Sequence, residues 1–182
     1  MLGGLRMVFI YDRTTGQIKF FYSGNISQIA NFKEDENLAE AIFEDDPVVL
    51  ERPQDYRIVV VSGRAMTYAK KPTMKLYFKD EDEKETDEFF IAGDGIDEVS
   101  LHVQIDGLNP LDEFGCIYDK DNLCNLQLYI NEELIDVEAE QLMDPTTATF
   151  IISITSNEPG LVLNIRGNDN LFLTNSVTLE VV

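Results

Sequence analysis

The sequence predicts a mainly β protein, with an antiparallel β-sandwich over residues 74–182 preceded by a small β-rich domain over 1–73 that holds one short helix. Three observations predict it. Val99, Leu101, Val103 and Ile105 alternate with Ser100, His102, Gln104 and Asp106, and a period of two puts the two sets on opposite faces of a half-buried strand. From Met74 onward, apolar runs are separated by turn signals at short spacing, the pattern of an antiparallel sandwich. Helical spacing is read in one stretch, Asn31–Phe43.

Taken in order, Met7–Tyr11 is β-branched and aromatic, as strands are. Asp12–Gly16 follows as a loop whose glycine can take the left-handed conformation that closes a hairpin, and Gln17–Tyr22 returns. In Asn31–Phe43 the residues Leu38, Ala41 and Ile42 fall at helical spacing, with Glu34, Asp35 and Glu36 suited to a helix N-terminus. Pro47–Leu50 reads as a brief edge strand. Tyr56–Val61 and Arg64–Tyr68 form a second hairpin around Ser62-Gly63, and Lys70-Lys71-Pro72 marks the domain boundary.

The sandwich begins with Met74–Phe78. Asp80–Glu88 holds seven acidic residues in nine and reads as a solvated loop. Phe89–Ala92 and Val99–Ile105 flank the Gly93-Asp94-Gly95 turn. Asn125–Asn131, a turn at Asn131-Glu132-Glu133, Leu134–Val137 and Thr149–Thr155 come next. Asn157–Gly160 is a β-turn with Pro and Gly in favoured places, before Leu161–Arg166 and Val177–Val182. Seven or eight strands in 109 residues fit an immunoglobulin-like sandwich, here without the Cys–Trp–Cys core of antibody domains, since the chain has no Trp.

Charge narrows the function classes. The formal net charge is −20, which disfavours nucleic acid, whose phosphates are met by Lys and Arg, and disfavours an anionic membrane surface. It is unevenly placed: residues 1–74 hold 9 Lys/Arg against 10 Asp/Glu, whereas 75–182 hold 5 against 24. No apolar run reaches the roughly 18 residues that span a bilayer, and Met1–Ile10 lacks the features of a secretory signal. The expectation is assembly in the cytoplasm.

The chemistry-bearing residues do not converge on a reaction. Cys116 and Cys124 permit a disulfide across a short hairpin, but free thiols in a reducing cytoplasm are the preferred reading. With His102 far away and on a polar strand face, they make no zinc motif. Asp119-Lys120-Asp121-Asn122 resembles the start of a calcium loop, yet Leu123 takes the next ligand place and the glycine is missing. Gly167-Asn168-Asp169-Asn170 reads as a turn. His102 has no Gly-flanked Ser or Cys beside it in the sequence, and Gly93-Asp94-Gly95 lacks the following helix of a phosphate loop. No catalytic, cofactor-binding or metal residue is assigned, no cofactor is expected, and the protein is read as non-enzymatic.

Two stretches carry a resemblance. Ile91-Ala92-Gly93-Asp94-Gly95-Ile96-Asp97-Glu98-Val99-Ser100-Leu101, then Phe150–Gly160 with its Ser and Pro-Gly turn, and Ser176–Val182 as a closing strand, resemble the bacterial immunoglobulin-like domains of invasin-type adhesins and of many tailed-bacteriophage virion proteins. This chain departs from that pattern by an extra Gly93 and a long acidic insert before the opening phrase. Ile10–Ile18 is similar to the opening hairpin of many small phage tail-fibre and tail-associated proteins. The resemblance implies a structural protein of a tailed phage particle, located in the virion. Its 1–73 domain would dock on the tail, baseplate or fibre apparatus, and its acidic sandwich would be displayed. Its partners would be other virion proteins, in several copies, with neither nucleic acid nor membrane. The alternatives are a capsid decoration protein and a host-surface or carbohydrate-binding adhesin module.

Overall fold

The computed structural model describes residues 6–23, 36–44, 46–107, 123–140, 142–144 and 147–182. These divide into two compact units, the first ending at Lys71 and the second beginning at Pro72.

In the first unit, β1 (Arg6–Asp12) is the centre of a three-stranded antiparallel sheet between β2 (Ile18–Ser23) and β3 (Leu38–Glu44). The β1–β2 hairpin closes as expected. Gly16 sits at φ 69°, and the Asp12 carboxylate accepts hydrogen bonds from the backbone of Thr14 and Thr15. A side chain at Gly16 is also excluded by space, because a Cβ there would lie 2.3 Å from the Ile58 carbonyl oxygen. That approach lets Ile58 N–H donate to Gly16 O at 2.8 Å, tying the hairpin to β4 (Tyr56–Val61), which pairs with β5 (Arg64–Lys70). Ser62 (φ 51°) and Gly63 (φ 72°) make the tight turn between those two strands. Met7, Phe9, Tyr11, Ala41, Val49, Ile58 and Val60 form the buried core of this unit.

Two expectations fail here. Within Asn31–Phe43 the described part is strand rather than helix: β3 pairs with β1, Phe9 opposite Ala41 and Val8 opposite Ile42, while residues 31–35 lie outside the described residues. Ala41 is buried and Ile42 exposed, so the apolar spacing that looked helical belongs to a strand with two different faces. Ladder hydrogen bonds to a strand buried over Met7–Tyr11 outweigh a weak local preference. Conversely, Pro47–Leu50 is not a strand but most of a short helix, α1 (Pro47–Glu51). Its N-cap is Asp46, whose side chain accepts from Val48 N–H. Asp at the cap and Pro at the first helical position are a helix-start signal, obscured by the β-branched Val48-Val49. A single 3-10 turn, Pro53–Asp55, follows.

The second unit is a sandwich of two sheets. In one, the order is β12 (Leu142–Asp144), β13 (Thr147–Thr155), β9 (Glu98–Asp106), β6 (Thr73–Lys79) and β15 (Leu173–Thr174). In the other, it is β11 (Glu133–Glu140), β10 (Leu123–Ile130), β14 (Val162–Gly167), β16 (Ser176–Val181) and β8 (Glu88–Ile91). In immunoglobulin lettering, β6, β9, β13 and β12 are A, B, E and D, and β10, β11, β14 and β16 are C, C′, F and G. The antiparallel pairings β6–β9, β9–β13 and β12–β13 on one side, and β11–β10–β14–β16 on the other, are those of that fold. The first strand is split: β6 lies in one sheet and β8 joins the other, parallel to β16.

The alternation in β9 is realised as expected. Val99, Leu101, Val103 and Ile105 are buried, while Ser100, His102, Gln104 and Asp106 are partly exposed. They join Met74, Leu76, Phe78, Phe150, Leu126, Leu128, Ile165, Val177, Leu179 and Val181, from both sheets, in one core. Each such side chain fully buried contributes about 1.5–3 kcal/mol.

The outer edge of β6 is closed piecewise. β15 pairs with Thr73 and Met74, and the two-residue strand β7 (Glu85–Thr86) pairs with Lys79 and Phe78. Between them the Asn175 carboxamide accepts from Leu76 N–H and donates to Leu76 O, both at 2.8 Å. A side chain thus completes a ladder that would otherwise offer free edge groups. The strands β7, β12 and β15 had no counterpart in the sequence reading.

Candidate functional site

Most of the residues singled out in the sequence are structural in this fold. The Gly93-Asp94-Gly95 turn and the Pro159-Gly160 turn, 64 residues apart at the nearest, meet at one end of the sandwich. A Cβ on Gly93 would lie 2.7 Å from Pro159 Cγ, Gly95 N–H donates to Ser156 O at 3.0 Å, and Gly93 N–H donates to Val182 O at 2.9 Å. The extra glycine of the opening phrase is therefore the residue that lets the two turns close on each other. The Asp94 carboxylate accepts from the backbone N–H groups of Asp97 and Ile96, which hold its pKa below the usual carboxylate value.

The turn expected at Gly167–Asn170 is built on Asn168. This buried side chain donates to Gln127 Oε1 and accepts from Asn170 N–H, both at 3.0 Å. Cys116 and Asp119–Asn122 lie outside the described residues. Cys124 lies on β10 opposite Ala139, so a pairing with Cys116 also falls outside them.

The acidic run is not simply a solvated loop. Asp80 Oδ1 accepts from Asp82 and Lys84 N–H, Glu85 and Thr86 form β7, and three lysines pin the run. Lys79 meets Glu83 at 2.8 Å, Lys84 meets Asp82 at 2.9 Å, and Lys75 pairs with Glu85. The sequence signal for this was the spacing of Lys75, Lys79 and Lys84 along and beside an acidic stretch. Among the described residues no group of three or more His, Cys, Asp and Glu is placed to hold a metal ion.

Beside that run lies the outer face of the β12–β13–β9–β6–β15 sheet. Tyr77 and His102 are cross-strand partners, and their rings stack with centroids 5.1 Å apart and planes 10° from parallel. Lys75 Nζ lies 5.1 Å from the Tyr77 centroid, and Ile151 on β13 is the partner of His102 on its other side. Burial and the nearby Lys79 push the His102 pKa down, against the opposing pull of Glu83. On the other sheet, the Arg166 guanidinium lies 4.1 Å from the Tyr129 ring centroid, with Glu132 at 2.9 Å and Asp169 at 3.3 Å. Tyr129 and Arg166 are 37 residues apart, so only the strand register reveals the pair.

In the first unit the notable surface is β2. Phe20, Phe21 and Tyr22 are 55%, 40% and 48% exposed. Because successive strand residues point to opposite faces, aromatic surface is offered on both. Exposed apolar side chains are not confined to this unit, since Phe90 and Ile96 of the second are 56% and 81% exposed. No protein-family model matches the chain, and no curated protein matches it in sequence.

Proposed function

We propose that this is a non-enzymatic structural protein of a tailed phage particle. In this reading the first unit docks on the tail, baseplate or fibre apparatus, and the acidic immunoglobulin-like sandwich is displayed. The observation that carries the reading is the uneven placement of charge, together with an exposed aromatic strand in the part of balanced charge. The half-exposed Phe20-Phe21-Tyr22 strand belongs to a stretch of nearly balanced charge, while 75–182 carry a net −19. Exposed clustered aromatics are the material of protein–protein contacts, and a strongly acidic surface keeps a displayed domain soluble and away from like-charged neighbours. The phage placement rests on the resemblance of 91–101, 150–160 and 176–182 to virion immunoglobulin-like domains. The partners are other virion proteins, met in several copies, and the protein acts in the virion after assembly in the host cytoplasm.

The experiment is gradient purification of particles from a culture producing the protein, followed by immunoblotting with an antibody to the sandwich. Co-sedimentation with infectious particles is expected. Recovery wholly in the soluble fraction contradicts the proposal.

A further inference from the structure

The outer face around His102 carries a second inference, independent of the assembly role. His102 is the single histidine of the chain, so it is the one side chain whose ordinary pKa lies between pH 5 and 8. Its neighbours are set by the ladder. Tyr77 stacks on it from β6, and Lys79, two residues further along the same face, is its diagonal neighbour at a Cα spacing of about 7–8 Å. Lys79 is in turn the cation that holds Glu83. Glu83 sits at φ 61°, a left-handed conformation that a glutamate keeps only where its surroundings hold it.

Of the other charged groups of this face, Glu98 is exposed at the start of β9, four residues from His102, and two are engaged. Lys75 is paired with Glu85, and Asp106 accepts from Gln104. β13 contributes Thr149, Ile151 and Ser153 to the face, none of which titrates.

We propose that His102 and the Lys79–Glu83 pair form a proton-operated catch, in which protonation of the imidazole displaces Lys79 from Glu83 and rearranges the charged side chains of the acidic turn 80–84, while its backbone stays tied by Asp80 and by β7. A proton on His102 places a second cation beside Lys79, on the face where that lysine meets Glu83. The Lys79 ammonium is then repelled while Glu83 gains a competing partner. In the neutral state the catch is closed, as the structure has it. The consequence is an acidic turn whose Glu83 carboxylate is held by Lys79 at neutral pH and loses that partner in mildly acidic surroundings.

The test is a nuclear magnetic resonance titration of the full chain from pH 8 to 5, following the lone imidazole signal and the backbone amides of residues 80–84. The expected result is a His102 midpoint below about 6.5, with the 80–84 amides shifting at that same midpoint. Lys79→Gln raises the histidine midpoint, and Glu83→Gln lowers it. His102→Gln removes the 80–84 transition in this range. The proposal is overturned if the 80–84 amides show no transition at the histidine midpoint, if that transition survives in His102→Gln, or if Lys79→Gln leaves the midpoint where it was.

Discussion

Replacing Asn175 with alanine removes the two hydrogen bonds that cap the outer edge of β6 at Leu76. The loss can be worked from the geometry. Two hydrogen bonds of 2.8 Å disappear together, one to Leu76 N–H and one to Leu76 O. Each contributes roughly 0.5–1.5 kcal/mol net, and a buried group left without a partner costs about 1–3 kcal/mol. The carboxamide is part-buried, so water recovers some of that cost, and a total of about 2–4 kcal/mol is expected for the sandwich. Asn175→Asp is expected to be destabilising as well, because it keeps the acceptor for Leu76 N–H but sets an oxygen against Leu76 O. The assay is urea unfolding followed on sandwich resonances, with the slope checked for constancy so that a midpoint shift reads as stability. Amide exchange at Leu76 should accelerate alongside. A change below about 0.5 kcal/mol, or an unaltered Leu76 exchange rate, would refute the idea that this side chain completes the sheet.

Other substitutions probe the remaining joints. Gly93→Ala puts a Cβ against the Pro159 ring and should cost about 1–3 kcal/mol by overpacking, read as a lowered urea midpoint; Gly63→Ala, with open space around it, should suffer only the left-handed backbone penalty. Gly16→Ala combines φ 69° with a Cβ in the path of Ile58 O, so it should disturb the first unit and its Gly16–Ile58 hydrogen bond, visible in the exchange rate of Ile58 N–H. The acid limb of stability should carry an Asp94 component. Its folded pKa is lowered by backbone N–H donors, so its contribution is present above the unfolded value of about 3.9 and is lost as pH falls through the folded value; Asp94→Asn should flatten that limb in a pH series of melting curves. His102 acts in a higher window. With its folded pKa depressed chiefly by burial and then by Lys79, the unfolded chain binds the proton more readily, so stability declines as pH drops below about 6.5, and His102→Gln should remove that slope.

The sandwich was legible because its core strands write their faces into the sequence. The alternation of Val99 to Ile105 and the β-branched Thr149–Thr155 correspond to β9 and β13, and turn chemistry located Ser62-Gly63 and Pro159-Gly160. What was not legible depends on partners far away in the chain. β3 owes its conformation to β1, not to its own spacing, which is why Leu38–Phe43 misled. The short strands β7 and β15 exist because β6 has an edge to cover, and Leu173-Thr174 alone carries no pattern. The surfaces were hidden for the same reason: the stacking of Tyr77 on His102 and of Arg166 on Tyr129 follows from register between strands. The Lys75, Lys79 and Lys84 spacing was visible, but its meaning required the acidic turn to fold back.

The central claim is best tested by imaging native particles with the sandwich labelled, for example with antibody fragments raised against it and viewed by cryo-electron microscopy. The account predicts label at repeated, symmetric positions on the tail, baseplate or fibres of a tailed particle. Label confined to the shell would move the protein to the capsid, and particles free of label would contradict the account.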